Sequence, residues 1–201
     1  MSAADRTATT YRYERWRSLS SGILETAGAT FLLLIAVRAY EADKFAKAIV
    51  AAGGSTGLML APWIVSRVES LGWPVSLAAS RFAALGAITV LIMAALPTQL
   101  VFVIGSVIAM TTSSVAIPLL TQIYQENYPA RERGRLFSRT FMIRNATAAI
   151  FSELAGRALS ADIGNFRWLL VAFAAAFAFG SFCLAKIPSR QIGRASCRER
   201  V

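Results

Sequence analysis

The sequence predicts an all-α membrane protein, and two observations support that prediction. Hydrophobic residues make up 56% of the 201 positions and charged residues only 16%, whereas soluble domains hold about 45–50% apolar and about 25% charged residues. The apolar residues also form long runs, and the charged residues cluster between them. Such runs are typical of transmembrane helices and do not fit the shorter, alternating segments of an outer-membrane barrel.

Six apolar runs are long enough to cross a bilayer, which takes roughly 20 helical residues per crossing. We expect six transmembrane helices at residues 22–40, 45–65, 74–96, 99–124, 137–159 and 168–187. Only Pro97 and Thr98 separate the third run from the fourth, so a tight turn divides the chain into two sets of three spans. Three-helix units related by an in-plane two-fold axis recur in transporters. The span count therefore favours two three-helix repeats within a transmembrane domain over residues 22–190.

The two ends of the chain are predicted to lie outside this domain. Residues 1–21 are polar and lack a cleavable signal, so we expect a cytoplasmic N-terminal tail. Arg and Lys are concentrated on the same side as that tail, which predicts that both termini are cytoplasmic, in an inner or plasma membrane. Residues 192–201 change character abruptly and resemble the translation of a sequencing adapter, which predicts that the natural reading frame is interrupted near Gln191. A natural basic tail is the alternative.

The composition also argues against several classes of function. The net charge is +10, but the basic residues flank apolar spans, which suits lipid headgroups better than nucleic acid. The sequence contains no His, and Cys183 and Cys197 form no CxxC motif. We therefore predict no catalytic residues, no metal site and no cofactor, and we do not expect an enzyme.

Three features together resemble the major facilitator superfamily. The first is the arrangement of six spans with a basic cytoplasmic side. The second is the polar stretch at residues 124–135, which is similar to a cytoplasmic loop of that family and contains the Arg-Gly-Arg element Arg133, Gly134 and Arg135. The third is the sequence Phe166-Arg167-Trp168, which opens the sixth span. The stretch at residues 61–72 retains Arg67 and Gly72 of the family's best-known motif but lacks its Asp.

This resemblance implies that the chain is the N-terminal half of a twelve-helix secondary transporter. Such a protein moves a small solute by alternating access, coupled here to protons or sodium as candidate ions, and needs a C-terminal six-helix half that this chain lacks. The alternative is a six-span membrane scaffold or assembly protein that does not transport.

Several charged residues fall within the predicted spans, where a charge at the bilayer centre costs from about 3 to more than 10 kcal/mol, and two of them are candidates for a functional pair. Glu25 lies one turn into the first span and Arg144 lies at a comparable depth in the fifth. Because the resembled fold packs these two spans together, we predict an ion pair between Glu25 and Arg144 that faces a substrate cavity, with Asn145 as a neighbouring candidate. The alternative is that Glu25 is interfacial and Arg144 reaches headgroup phosphates. Glu153 precedes Arg157 by four residues, which predicts a same-face pair at the outer end of the span.

Small and hydroxylated residues give the remaining candidates. The fourth span contains a hydroxyl cluster, whose members are predicted either to contact substrate or to bond neighbouring helices: Thr111, Thr112, Ser113 and Ser114. In the second span, Gly53 and Gly57 form a Gly-x-x-x-Gly pattern, and Gly54 widens the groove that these glycines leave on the helix surface. We expect close helix packing there.

Overall fold

The computed structural model describes residues 2–189, which are almost entirely helical and contain no strand. The seven α-helices of this part of the chain are α1 (Ala3–Thr26), α2 (Leu32–Arg38), α3 (Lys44–Ser70), α4 (Val75–Ala95), α5 (Gln99–Asn127), α6 (Ala130–Ala161) and α7 (Phe166–Lys186). A π-helical turn joins α1 to α2 at Ala27–Phe31, and a 3-10 turn precedes α7 at Ile163–Asn165. The predicted adapter-derived segment at residues 192–201, with Cys197, and the predicted break near Gln191 lie outside the described residues.

Four helical segments within residues 2–189 are long and apolar enough to cross a membrane. They are Lys44–Ser70, Val75–Ala95, Gln99–Asn127 and Ile163–Lys186. The predicted spans at residues 22–40 and 137–159 are not among them, because α1 and α6 combine apolar residues with polar and charged ones and a π turn interrupts the first. The all-helical class is therefore confirmed, and four helices have the length and apolarity that membrane crossing requires.

The segment predicted as an N-terminal tail is helical from Ala3. Its first turn is stabilised by a capping box, in which the Asp5 amide donates to the Ser2 hydroxyl and the Ser2 amide donates to the Asp5 carboxylate, each over 3.1 Å. The helix then packs along α6 and α7. Residues 3–21 thus belong to the helical bundle rather than to a separate tail.

The polar stretch at residues 124–135 was predicted to be a loop, and that prediction is wrong. Only Tyr128 and Pro129 separate α5 from α6, because Pro129 has the fixed φ that allows a helix to start immediately after it. Arg133, Gly134 and Arg135 consequently lie in the first turns of α6. The tight turn at Pro97 and Thr98 is confirmed, and there the Thr98 hydroxyl accepts from the Val101 amide over 3.4 Å.

The helices pack in the spatial order α3–α5–α4–α7–α1–α6. The helices at the two ends of this series, α3 and α6, make little contact with each other, so one side of the bundle is open. Likewise, α5 makes little contact with α6, although only two residues join them. A buried apolar core runs between α2, α4, α5 and α7 with contributions from α3 and α6, and large apolar side chains cover much of the outside of α3, α4, α5 and α7. Exposed apolar surface on this scale is typical of proteins that contact lipid or a partner.

Candidate functional site

A cavity of about 430 Å³ lies inside the bundle and is lined by side chains of α1, α4, α5, α6 and α7. Most of the lining is apolar, and hydroxyl groups and four charged side chains interrupt it. The volume falls within the range of about 300–1,000 Å³ that is common for small-ligand sites. An apolar chamber with a few convergent polar groups is the usual form of a binding site for a small molecule.

The predicted ion pair between Glu25 and Arg144 is present, and both residues line the cavity. The Nε atom of Arg144 lies 2.8 Å from Oε2 of Glu25, and its Nη2 atom donates to Oε1 over 3.3 Å. The guanidinium also lies over the ring of Phe141, 4.8 Å from its centroid. The side chains of Glu25 and Arg144 are 44% and 36% exposed, so a ligand in the cavity can reach both.

Gly22 explains why α1 and α6 come close enough for this pair. A Cβ atom on Gly22 would collide with the backbone oxygen of Arg144 and lie 2.8 Å from Cβ of Thr147. The two backbones therefore touch less than one turn from Glu25. Gly22 was not predicted as a packing residue, because a glycine at the start of an apolar run carries no sign of the helix against which it packs.

A second charged cluster joins α1 to α5 and was also missed. The Nε atom of Arg17 donates to Oε2 of Glu14 over 2.7 Å, and the hydroxyl of Tyr124 donates to Oε1 of Glu14. The side chains of Glu14 and Arg17 are only 2% and 13% exposed. The cluster is a largely enclosed ion pair that links two helices with few other mutual contacts.

The signal for this cluster is the spacing of polar residues in α1. Thr10, Glu14 and Ser18 recur at intervals of four and are all buried, which is the pattern of one helix face. This segment was predicted to be a cytoplasmic tail, because periodicity shows that a face exists but does not show what covers it.

Hydrogen bonds beyond this cluster tie the N-terminal part of α1 to the ends of α5 and α7. The Thr7 hydroxyl donates to the backbone oxygen of Asn127 over 2.8 Å, and the side-chain Nδ2 of Asn127 donates to the backbone oxygen of Pro188 over 2.7 Å. Burial, reinforced by the Glu14 carboxylate, raises the pKa of Tyr128, which follows α5.

The predicted hydroxyl cluster divides between helix packing and the cavity. Thr112, Ser113 and Ser114 line the cavity. Ser114 also donates to the backbone oxygen of Gly54 over 3.1 Å. Thr111 instead packs against α3, where its Cα would lie 2.7 Å from a Cβ on Gly57.

Two of the three glycines predicted for helix packing, Gly53 and Gly57, make close contacts with α5. A Cβ on Gly53 would lie 3.2 Å from Cβ of Met110, and one on Gly57 would lie 2.7 Å from Cβ of Ser114. These positions bring α3 and α5 into close contact. At Gly54 the nearest atom would be 3.9 Å away, so its contribution is the backbone oxygen that accepts from Ser114.

The remaining candidates lie away from the cavity lining. Asn145 is exposed on α6 and does not line the cavity. Arg133 donates from Nη2 to the backbone oxygens of Gln125 and Tyr128 over 3.2 and 3.3 Å, so it stabilises the end of α5. Arg135 pairs with Glu132 at 3.7 Å on an exposed surface, and a Cβ on Gly134 would meet nothing within 4 Å.

The predicted pair of Glu153 and Arg157 is present at 2.7 Å. The side chains are 65% and 78% exposed, and neither residue lines the cavity. This pair is thus an exposed counterpart, on the same helix, to the pair formed by Arg144. Within residues 2–189, no group of three or more His, Cys, Asp or Glu side chains is arranged to hold a metal ion.

Comparison of the chain with protein-family models, with curated proteins and with solved structures finds no match. The resemblance to the major facilitator superfamily therefore stays a prediction from short motifs.

Proposed function

We propose that this chain is a six-helix half of a secondary active transporter that moves a small solute by alternating access, as its resemblance to the major facilitator superfamily implies. The observation that carries the proposal is the Glu25–Arg144 pair, which lines a cavity in a bundle in which four helices expose many large apolar side chains. Charged side chains at membrane depth are costly and usually mark a substrate or ion pathway.

The packing of the helices supports two three-helix repeats. Exchanging α1/α2 with α5, α3 with α6 and α4 with α7 leaves the main helix contacts unchanged. The contact of α3 with α5 becomes that of α6 with α1, and the contact of α4 with α5 becomes that of α7 with α1. The contact of α4 with α7 is its own counterpart. Such exchange symmetry is expected of inverted repeats in transporters.

The composition of α1 and α6 is consistent with two further membrane crossings. Polar side chains of α1 line the cavity, as do Thr140 and Arg144 of α6, and polar groups that face a cavity do not prevent a helix from spanning. With 32 residues, α6 is about 48 Å long, more than the hydrocarbon core of about 30 Å. Six spans would leave both termini on the cytoplasmic side.

The open side of the bundle is where we propose that a second six-helix half packs. The cavity lies between α5 and α6, which contact each other little. A second half facing this opening would enclose the solute between two units that rock relative to each other. Protons and sodium are the candidate coupling ions.

Uptake by the complete protein tests this proposal. The gene is to be sequenced beyond the codon for Gln191, and its product reconstituted into proteoliposomes with an imposed proton or sodium gradient. We expect gradient-dependent solute uptake that falls when Glu25→Arg or Arg144→Glu reverses one charge of the pair. The matched controls are Glu153→Gln and Arg157→Gln, which alter only the exposed pair of α6. A complete product without uptake, or without a second six-helix half, would contradict transport and favour a membrane scaffold.

A further inference from the structure

We infer that the ligand of the cavity is a zwitterion with an apolar or aromatic body, such as a large α-amino acid, whose ammonium group binds Glu25 and whose carboxylate binds Arg144. This inference rests on the proposed transport function and names the class of its substrate.

The first argument is charge balance. The charged side chains that line the cavity among the described residues are Glu14, Arg17, Glu25 and Arg144, and their formal charges cancel. In a largely apolar chamber, a ligand with a net charge would add an uncompensated charge, which is costly away from water. A ligand that carries one positive and one negative group leaves the chamber neutral.

The second argument is the difference in access between the two ion pairs. Arg17 donates to both carboxylate oxygens of Glu14, Tyr124 also donates to Oε1, and the side chains of Glu14 and Arg17 are mostly enclosed. Glu25 and Arg144 are each more than a third exposed. Their complementary charges therefore remain available to a ligand that binds beside the pair.

The third argument is the geometry of the guanidinium. The Nη2 atom of Arg144 donates to Glu25 and its Nε atom lies 2.8 Å from the same carboxylate, so within the described part of the chain the Nη1 edge is the one left for a second carboxylate. Arginine presents five N–H donors in a planar fork and accommodates carboxylates on its edges. The ammonium group of the same ligand would lie near Glu25, because the two side chains are in contact.

The fourth argument is the apolar surface beside the pair. Phe141 packs under the guanidinium, and Phe137 stacks beside Phe141 with ring centroids 5.9 Å apart. Phe177 and Met110 also line the cavity. A ligand held by its charged groups would thus place an aromatic or large aliphatic body against rings and a thioether, surfaces that favour such contacts.

Binding of matched probes to the 201-residue chain in lipid nanodiscs tests the inference, with isothermal titration as the measurement. The probes are L-phenylalanine, 3-phenylpropionate, which lacks the ammonium group, and phenethylamine, which lacks the carboxylate. We expect saturable binding of phenylalanine, at least about tenfold tighter than either singly charged probe, since each lost probe group removes a charge-assisted contact.

Variants then assign each end of the ligand to one side chain. Arg144→Gln should remove the preference for phenylalanine over phenethylamine, and Glu25→Gln should remove the preference over 3-phenylpropionate. A merely structural role would weaken all probes together and leave these preferences unchanged. Glu153→Gln and Arg157→Gln serve as controls and should bind phenylalanine as the unaltered chain does. Should the cavity variants fail to fold, the probe series on the unaltered chain decides.

The inference is overturned if a singly charged probe binds as tightly as phenylalanine or if no probe binds. If phenylalanine does not bind and the complete protein still transports another solute, only the substrate class is wrong. If phenylalanine binds with the expected preferences and the complete protein shows no uptake, the site stands and the transport function is wrong.

Discussion

Tyr124 donates a hydrogen bond from its phenol to the buried carboxylate of Glu14, and this contact joins α5 to α1. The two helices have few other mutual contacts, although both line the cavity. The bond therefore connects the first helices of the two proposed three-helix repeats. Glu14 lies in a part of α1 that was predicted to be a polar tail, outside the predicted spans.

Tyr124→Phe should destabilise the protein. It removes the phenol from a mostly enclosed carboxylate, and losing one hydrogen bond to a charged group costs about 1–3 kcal/mol. Thermal unfolding in detergent measures the effect. Tyr40→Phe is the matched control, because the Tyr40 hydroxyl is buried without a hydrogen-bond partner among the described residues. Equal effects of the two substitutions would mean that the Tyr124–Glu14 bond does not stabilise the bundle.

Glu14→Gln should destabilise the protein more than Glu153→Gln. The first substitution leaves the enclosed guanidinium of Arg17 without its charge partner, which typically costs about 3–5 kcal/mol. The second breaks a pair that is mostly exposed, and pairs of that kind contribute about 0–1 kcal/mol. Denaturant unfolding of both variants in the same detergent gives the comparison, and similar midpoints would show that Glu14 is not enclosed as described.

The sequence predicted those features that depend on spacing along one helix or on depth within a span. The pair of Glu153 and Arg157 follows from a four-residue interval, and the pair of Glu25 and Arg144 follows from similar depth together with the packing that the resemblance implied. Glu14 could not be predicted in the same way, because its burial depends on α5 and α7. A polar face covered by other helices and one covered by water have the same sequence periodicity.

Gly22→Ala should separate α1 from α6. The added Cβ would collide with the backbone oxygen of Arg144, which cannot rotate away as a side chain can. Overpacking of this kind costs about 1–3 kcal/mol, and the shift should also weaken phenylalanine binding by moving Glu25 away from Arg144.

Gly156→Ala in α6 is the control for Gly22→Ala. A Cβ at Gly156 meets nothing within 4 Å, so the change should stabilise the helix by up to about 1 kcal/mol through its higher helix propensity. Thermal unfolding and phenylalanine titration of both variants distinguish local crowding from a general effect of losing glycine. If Gly22→Ala is as stable as Gly156→Ala, the close contact between α1 and α6 is absent.

Cysteine labelling should decide whether α1/α2 and α6 cross the membrane. Single cysteines are introduced near the ends of these helices at the exposed positions Ala4, Lys44, Arg131 and Ser160, in a background that carries Cys183→Ala and Cys197→Ala. A membrane-impermeant maleimide applied to sealed vesicles then reports the side of each cysteine. Six spans place Ala4 and Arg131 on one face and Lys44 and Ser160 on the other.

The same experiment has a distinct outcome if only the four most apolar segments cross the membrane. Ala4 would then lie on the same face as Lys44, because no crossing separates them, and Arg131 would lie on the same face as Ser160. The proposed cavity between α5 and α6 needs both helices at the same depth, so this second outcome would also remove the Glu25–Arg144 pair from the membrane interior. Labelling from both sides of the vesicle, with permeabilised vesicles as the total, distinguishes an inaccessible cysteine from one on the opposite face.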